Sequence, residues 1–219
     1  MKIIDLSQTM ENGLQTYKGL PAIHVCDYLS RQDSAERYGD HETFQIDQIT
    51  LIGNSGTYID SPFHRYENGR DLSELALSAT TALPGVVIRV PYARPCHAID
   101  EKAFSDRELE GKAVLFDTGW CRHFGCEDYF DGHPFLTADA ADLLHKKGAA
   151  LVGIDSHNID DTRTNTRPVH SVLLGADIPI VEHMNNLSAL PDLGFRFFAA
   201  PLKFKGVGTF PTRAYAIID

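Results

Sequence analysis

Residues 54–64 read Asn-Ser-Gly-Thr-Tyr-Ile-Asp-Ser-Pro-Phe-His, and they include two side chains whose spacing could support chemistry. Asp60 and His64 stand four positions apart, with Pro62 between them. An aspartate offers a hard oxygen ligand and a histidine a borderline nitrogen ligand, so the pair could begin a divalent-metal site or act as an acid–base pair. From the spacing alone, the commoner alternative is a structural loop in which Asp60 accepts backbone N–H groups and His64 packs on Pro62.

Two side chains farther along the chain could complete such a site. His170 follows Pro168, which suits the first turn of a short helix, and Glu182 ends an apolar segment that is typical of a strand. Together with Asp60 and His64 they give two carboxylates and two imidazoles, a donor set suited to zinc or manganese. Taken singly, each residue would more often be an ordinary helix histidine or a solvated carboxylate.

Hydrophobic patterning predicts the elements that must position these residues. The clearest helix spans residues 137–147, with Thr137 as N-cap and Gly148 after its last turn. A second helix is predicted from Pro168 to about Gly175. The pattern at 44–52 alternates with one phase slip, which indicates a strand with a bulge. Residues 12–41 are predicted to be mostly loop, and further strands are predicted at 3–6, 86–90, 113–116, 149–154, 178–182, 195–204 and 213–218.

Strands outnumber helices in this pattern, which predicts the α/β class with a mixed and curved sheet. Pro179 confines the strand at 178–182 to a sheet edge or to a strand start. The chain has 219 residues without an internal repeat or a composition break. We therefore expect a single domain over residues 1–219.

Composition excludes several classes of function. The formal net charge is −10, which argues against binding a phosphate backbone. No apolar stretch approaches the roughly 18 residues needed to span a bilayer, and the first residues lack the apolar core of a signal peptide. We therefore expect no nucleic-acid or membrane partner, a small-molecule substrate, and a cytoplasmic location.

The four cysteines, Cys26, Cys96, Cys121 and Cys126, form no Cys-x-x-Cys pair. A zinc site at Cys121, His123 and Cys126 is conceivable, but its spacing matches no established pattern. Free thiols in a reducing compartment are the preferred interpretation.

Residues 54–64 resemble the signature His-x-Gly-Thr-His-x-Asp-x-Pro-x-His of the cyclase family, metal-dependent hydrolases that include bacterial kynurenine formamidase. Further blocks resemble the family's Gly-Ile-Asp, Ala-His-x-x-Leu-Leu, Glu-Asn-Leu, Pro-Leu-Lys and Ser-Pro-x-Arg-Ala elements. They lie at residues 153–155 with Asp160, 169–174, 180–187, 201–203 and 211–214, and residues 5–7 match the family's usual opening. The blocks occur in order along nearly the whole chain.

The resemblance implies a swivelling β/β/α cyclase-like fold, with a mixed barrel-like sheet, outer helices and assembly into a homodimer or homotetramer. It implies that Asp60, His170 and Glu182 hold a metal. It also implies that His64 is the catalytic acid–base group, although His64 could instead be a ligand.

Asn54 and Tyr58 stand where the signature has its first two histidines. A neutral amide and a phenol with a pKa of about 10 replace imidazole poorly. We therefore expect one divalent metal, zinc or manganese, and loss of the second metal site. Asn54 and Tyr58 are predicted to contact substrate instead. His157, between Asp155 and Asp160, could also point into the site, as a substrate contact or replacement ligand.

The predicted function is metal-dependent hydrolysis of an amide, formamide or lactone bond in a small cyclic or aromatic substrate, as in an arylformamidase. His64 would move the proton of a metal-activated water. The alternative is a catalytically inactive or metal-poor member of the family that binds a small molecule in the former active-site pocket. Metal content separates the two hypotheses.

Overall fold

A curled, mixed nine-stranded sheet organises the computed structural model of the protein, which describes residues 1–39, 41–92 and 97–218. Two small two-stranded sheets flank it. One pairs β2 (His24–Leu29) with β3 (Ile46–Thr50), and the other pairs β6 (Ala98–Ile99) with β8 (Phe135–Leu136). In spatial order, the strands of the large sheet are β1 (Lys2–Asp5), β13 (Tyr215–Ile218), β11 (Phe195–Phe198), β5 (Leu83–Arg89), β7 (Ala113–Asp117), β9 (Leu151–Ile154), β10 (Ile180–Glu182), β4 (Tyr58–Asp60) and β12 (Thr209–Pro211).

The centre of the sheet is parallel and its edges are antiparallel. Strands β5, β7, β9 and β10 run parallel, and β4 and β12 continue antiparallel from β10. Apolar side chains of the central strands are buried on both faces: Val86 and Ile88 belong to one core cluster, and Val87 to the other. Burial on both faces explains why these strands appear in the sequence as continuous apolar runs.

The described residues contain three α-helices, α1 (Arg31–Tyr38), α2 (Ala138–Lys146) and α3 (Pro168–Gly175). The Thr137 hydroxyl accepts a hydrogen bond from the Ala140 backbone, as predicted for the N-cap of α2. Helix α3 begins at Pro168, as predicted. Both α2 and α3 contribute to the core cluster on one face of the sheet.

The predicted α/β class with a mixed sheet is confirmed, and Pro179 does lie just before a strand start. The prediction that residues 12–41 are mostly loop missed two elements, β2 and α1, which lie there. Most side chains of both elements are exposed, so their sequences lack the regular spacing of apolar residues that would predict a strand or a helix. Pairing with β3 and the Ser30 cap on Asp33 stabilise them instead. The single-domain prediction for residues 1–219 stays a prediction.

The β2–β3 pair contains the predicted irregularity, with a register shift between Asp27 and Leu29, although the extra residue lies on β2. Cys26, Cys121 and Cys126 are free thiols, and Cys96 lies outside the described residues. No helix among the described residues is long and apolar enough to cross a membrane.

Candidate functional site

Pairing between β4 and β10 brings the chemically active side chains of two distant segments together. In this antiparallel register Tyr58 stands opposite Glu182, and Asp60 stands opposite Ile180. Alternate residues of a strand share a face, so Tyr58, Asp60 and Glu182 lie on one face of the sheet. All three are fully buried.

His64 and His170 approach this face from two helical segments. A 3-10 turn at Pro62–His64 directly follows β4 and carries His64, while α3 carries His170. His64 Nδ1 lies 3.9 Å from Asp60 Oδ1, and His170 Nε2 lies 3.7 Å from Asp60 Oδ2. In the part of the chain that the structure describes, these three residues form the one cluster whose potential ligand atoms all lie within 4.8 Å of one another.

Asp160 fixes the orientation of His170. Its carboxylate accepts hydrogen bonds from the backbone nitrogens of Val169 (2.8 Å) and His170 (3.0 Å) at the start of α3. It also lies 2.6 Å from His170 Nδ1. A proton on Nδ1 leaves the Nε2 lone pair directed toward Asp60, which is the usual arrangement of a metal-binding histidine and its supporting carboxylate.

Glu182 is satisfied by protein donors. The Tyr58 hydroxyl donates to Oε2, and the Ile159 backbone nitrogen donates to Oε1 at 2.5 Å. Glu182 Oε2 also lies 4.0 Å from His170 Nε2. The carboxylate therefore borders the cluster but already has a partner for each oxygen.

Burial and neighbouring charges shift the pKa values of three side chains in the site. Burial opposes ionisation of Asp60, but the positive charges of His64 and His170 outweigh it and hold its pKa below the usual value. Burial, together with the charge of Asp60, raises the pKa of Glu182 to about 7. Burial disfavours charge on His170, but hydrogen bonds to Asp160 and Asp60 and the charge of Glu182 raise its pKa to about 10.

A divalent cation fits the cluster by two observations. Neither oxygen of Asp60 has a hydrogen-bond partner among the described residues, although the side chain is fully buried. Burying a carboxylate without a partner is energetically unfavourable unless a cation lies next to it. Ligand atoms bound about 2.0–2.2 Å from one ion lie roughly 3–4 Å apart, which matches the distances from Asp60 to His64 and His170. These three residues could hold one ion, with Glu182 beside them.

The cluster opens into a cavity of about 280 Å³. Asn54 lies on its wall, as do His64, His170 and Glu182. Tyr17 and Asn158 form another part of the wall, where the Asn158 amide lies 3.5 Å from the Tyr17 hydroxyl.

The structure places Tyr58 and His157 differently from Asn54. Tyr58 is fully buried, and its hydroxyl donates a hydrogen bond to Glu182. His157 is 2% exposed and packs against aromatic rings that include Tyr17 and Tyr129. Burial and the neighbouring histidines lower the pKa of His157 to about 2, so its ring is neutral. Neither side chain belongs to the cavity wall.

Two positions on which the site depends were not recognised as such from the sequence. Asp160 contacts His170 across ten residues of the chain and a turn, and no local motif in the sequence indicates this contact. Gly208 lies against the 3-10 turn, where an added Cβ would stand 2.5 Å from the backbone nitrogen of His64. Only a glycine allows this approach, and no local motif in the sequence indicates it.

Comparison with known proteins identifies a family for this chain. Residues 4–161 match the protein family described as "Putative cyclase". The chain belongs to the cyclase family. The predicted resemblance to this family is thereby confirmed.

Curated relatives in the cyclase family include two kynurenine formamidases. The enzyme of Bacillus thuringiensis subsp. konkukian (strain 97-27) is 27% identical over 212 residues, covering 96% of this chain and 95% of the relative. The enzyme of Bacillus anthracis is 27% identical over 214 residues, covering 97% and 96%.

Solved structures of cyclase-like proteins share the fold. An isatin hydrolase bound to the product analogue thioisatinate superposes with a TM-score of 0.86 at 22% identity, covering 99% of this chain and 92% of that one. A potential metal-dependent hydrolase with cyclase activity gives a TM-score of 0.79 at 24% identity, covering 98% and 96%. The predicted cyclase-like fold is therefore confirmed.

Proposed function

We propose that this protein is a metal-dependent hydrolase that cleaves an amide or lactone bond in a small cyclic or aromatic substrate. The observation that carries the proposal is the environment of Asp60. A fully buried carboxylate without a hydrogen-bond partner among the described residues faces His64 and His170, and both histidines line a cavity. Unpaired buried charge is retained where it binds an ion or reacts.

Each residue has a role that its position supports. When bound, a divalent ion would lower the pKa of a water molecule from 15.7 toward about 7 and polarise the substrate carbonyl. Asp60 and His170 supply ligand atoms, and Asp160 keeps the Nε2 lone pair of His170 directed at the site. His64 lies on the cavity wall, where its imidazole can take a proton from the attacking water and return it to the leaving group.

Cavity size and relatives support a small amide substrate. A volume of about 280 Å³ is at the lower limit of ordinary ligand pockets, which favours a substrate with about one ring system. Curated relatives are named for a formamide hydrolysis and a structural relative for hydrolysis of isatin, a cyclic amide. These names support formamides and cyclic amides as the first substrates to test.

A single ion is favoured over two. Tyr58 and Asn54 offer a phenol and an amide where the family signature has imidazoles, and the Tyr58 hydroxyl is engaged by Glu182. Asp60, His64 and His170 are then the ligands available to one ion, with zinc or manganese as its proposed identity.

The test is hydrolysis by chelator-treated protein after adding back zinc or manganese. Formanilide, isatin, a cyclic imide and an aromatic lactone form the substrate panel. We expect hydrolysis of at least one amide that requires added metal, and its loss in Asp60→Asn. Inactivity of the folded, metal-loaded protein on the whole panel would contradict the proposal. Asp161→Asn, next to Asp160 but paired with Arg163 at the surface, is the matched control.

The second candidate function is small-molecule binding without catalysis. One observation favours it: hydrogen bonds from Tyr58 and Ile159 satisfy Glu182 without any metal. Elemental analysis of the purified protein separates the candidates. One equivalent of metal supports the hydrolase, none supports the binding protein, and two equivalents contradict the single-ion site.

The predicted homodimer or homotetramer and the predicted cytoplasmic location stay predictions. Exposed apolar side chains on the β2–β3 pair, among them Tyr28 and Ile49, support self-association through that surface. Analytical ultracentrifugation of the purified protein tests the assembly.

A further inference from the structure

A second cavity lies outside the candidate active site, and aromatic rings form much of its wall. Its volume is about 340 Å³, within the lower range of small-molecule sites, and it shares no lining residue with the cavity beside His64 and His170. Its lining residues include Tyr92, His97, Trp120, His123, Asp128 and Asp131. The described part of this wall contains two carboxylates and neither lysine nor arginine, so the cavity favours a positively charged ligand.

The rings of this wall contact one another in series. Tyr92 stacks on His97 with ring centroids 5.2 Å apart, and it meets Trp120 edge-on at 4.8 Å. Trp120 in turn contacts His123, with centroids 4.5 Å apart. The indole nitrogen Nε1 of Trp120 donates to the carbonyl oxygen of Tyr129 at 3.1 Å, which fixes the orientation of the indole. The aromatic wall is therefore formed before any ligand binds.

Asp128 keeps its negative charge beside these rings. Arg122 Nε lies 3.4 Å from His123 Nε2, and because an arginine can only donate, this ring nitrogen is the acceptor. The ring proton of His123 then lies on Nδ1, which is 2.8 Å from Asp128 Oδ2. A neutral imidazole orients the carboxylate without cancelling its charge. The Asp128 side chain is 64% exposed, so a ligand in the cavity can reach it.

Asp131 supplies a second carboxylate to the same wall. Its Oδ2 lies 3.3 Å from Lys18 Nζ, and both side chains of this ion pair are mostly exposed. An exposed ion pair contributes little free energy, because water screens the charges and both side chains lose conformational freedom. A cation in the cavity can therefore replace Lys18 as the partner of Asp131 at little cost.

An organic cation suits this wall better than a metal ion. The wall contains side chains of metal-binding types, His97, His123, Asp128 and Asp131. Among the described residues, however, only the cluster around Asp60 brings three such side chains within 4.8 Å of one another. Aromatic rings attract a cation through their faces, and quaternary ammonium groups are bound by aromatic cages in this way.

We propose that this second cavity binds a small organic ammonium ion. The positive charge lies beside Asp128 and Asp131, and the alkyl substituents pack against Tyr92 and Trp120. The formal net charge of −10 adds an attractive potential for any cation that approaches. The site is separate from the proposed hydrolase chemistry, so each of the two proposals can fail without the other.

The only tryptophan of the chain, Trp120, lies on this wall, so the fluorescence of the unlabelled protein reports on the cavity. The test is a titration of the purified protein with choline and with 3,3-dimethylbutan-1-ol, a neutral molecule of the same shape, at constant ionic strength. We expect a saturable change with choline and an affinity about tenfold or more lower for the neutral alcohol. Equal affinities, or no choline binding by fluorescence and calorimetry, would overturn the inference.

Substitutions locate the bound cation. Asp128→Asn and Tyr92→Leu should each weaken choline binding by about tenfold, whereas Tyr92→Phe keeps the ring and should retain most of the affinity. The matched control is Asp142→Asn, which removes an exposed carboxylate of α2 that does not line this cavity. Circular dichroism shows that each variant is folded. Wild-type affinity in both Asp128→Asn and Tyr92→Leu would show that choline binds elsewhere and would contradict the inference.

Discussion

The hydroxyl of Tyr58 donates a hydrogen bond to Glu182 Oε2 from the neighbouring antiparallel strand, and both side chains are fully buried. The two residues are direct partners in the β4–β10 register. The resemblance of residues 54–64 to the family signature implies that Tyr58 stands at the position of a metal-binding histidine. In this chain the phenolic proton of Tyr58 is donated to Glu182 instead.

Removing this donor should destabilise the fold. Tyr58→Phe leaves Glu182 buried with one fewer hydrogen bond, and we expect a loss of about 1–3 kcal/mol in the free energy of unfolding. Denaturant unfolding of the metal-free protein measures it. Tyr66→Phe is the control, because the Tyr66 hydroxyl bonds a carbonyl oxygen in an exposed setting. Equal stability of Tyr58→Phe and wild type would contradict the importance of this hydrogen bond.

Asp160 should govern metal affinity without contacting the ion. Asp160→Asn removes the acceptor that holds the Nδ1 proton of His170. Substitutions of such supporting carboxylates typically reduce metal affinity by about 10–100-fold. Titration with zinc against a competing chelator measures the change, after circular dichroism has shown that the variant is folded. An affinity equal to that of the Asp161→Asn control would exclude His170 from the ligand set.

Substitution of His64 distinguishes its two candidate roles. Loss of a proton carrier lowers kcat by about 10²–10⁴-fold and leaves metal affinity intact. Loss of a ligand lowers both. We expect His64→Gln to keep its metal affinity and to lose hydrolysis, because the imidazole of His64 lies on the cavity wall, where a proton carrier would act. Full activity in the variant would remove His64 from either role.

Buried histidines should make the protein sensitive to acid. Burial lowers the pKa of His157 to about 2 and that of His183 to about 4, from 6.5. Below pH 6.5 these two rings bind protons in the unfolded chain but not in the folded protein, so they lower the free energy of unfolding as the pH falls, while the raised pKa values of Glu182 and Asp155 act in the opposite direction. Each ring contributes a slope of up to about 1.4 kcal/mol per pH unit, for His183 down to about pH 4.

The substitution His157→Phe should flatten this dependence. It keeps an aromatic ring among Tyr17 and Tyr129 but removes the titrating group. We expect the slope between pH 6 and pH 4.5 to decrease by about 1.4 kcal/mol per pH unit in denaturant unfolding. His145→Gln, at an exposed position on α2, is the control. An unchanged slope in His157→Phe would show that its ring is protonated in the folded protein.

Local sequence signals were sufficient for the regular elements of the core. Thr137 and Pro168 mark helix starts that the structure has at the same places, and the apolar runs at 86–90 and 113–116 are central strands. Hydrophobic patterning did not predict the segments whose buried residues show no regular spacing. Helix α1 and strand β2 depend on a cap and on pairing with β3, and these contacts leave little trace in hydrophobic patterning.

The sequence by itself identified the family, the mixed sheet, and Asp60, His64, His170 and Glu182 as the residues to examine, because ligand chemistry and motif spacing are properties of the chain. Only the tertiary structure decided how they are used. Strand register places Tyr58 against Glu182, and the turn before α3 brings Asp160 to His170. The same folding brings Asn54, Asn158 and His170 to the wall of one cavity. Such relationships join residues that are distant in the chain, and their distances and burial arise only when the sheet and helices pack.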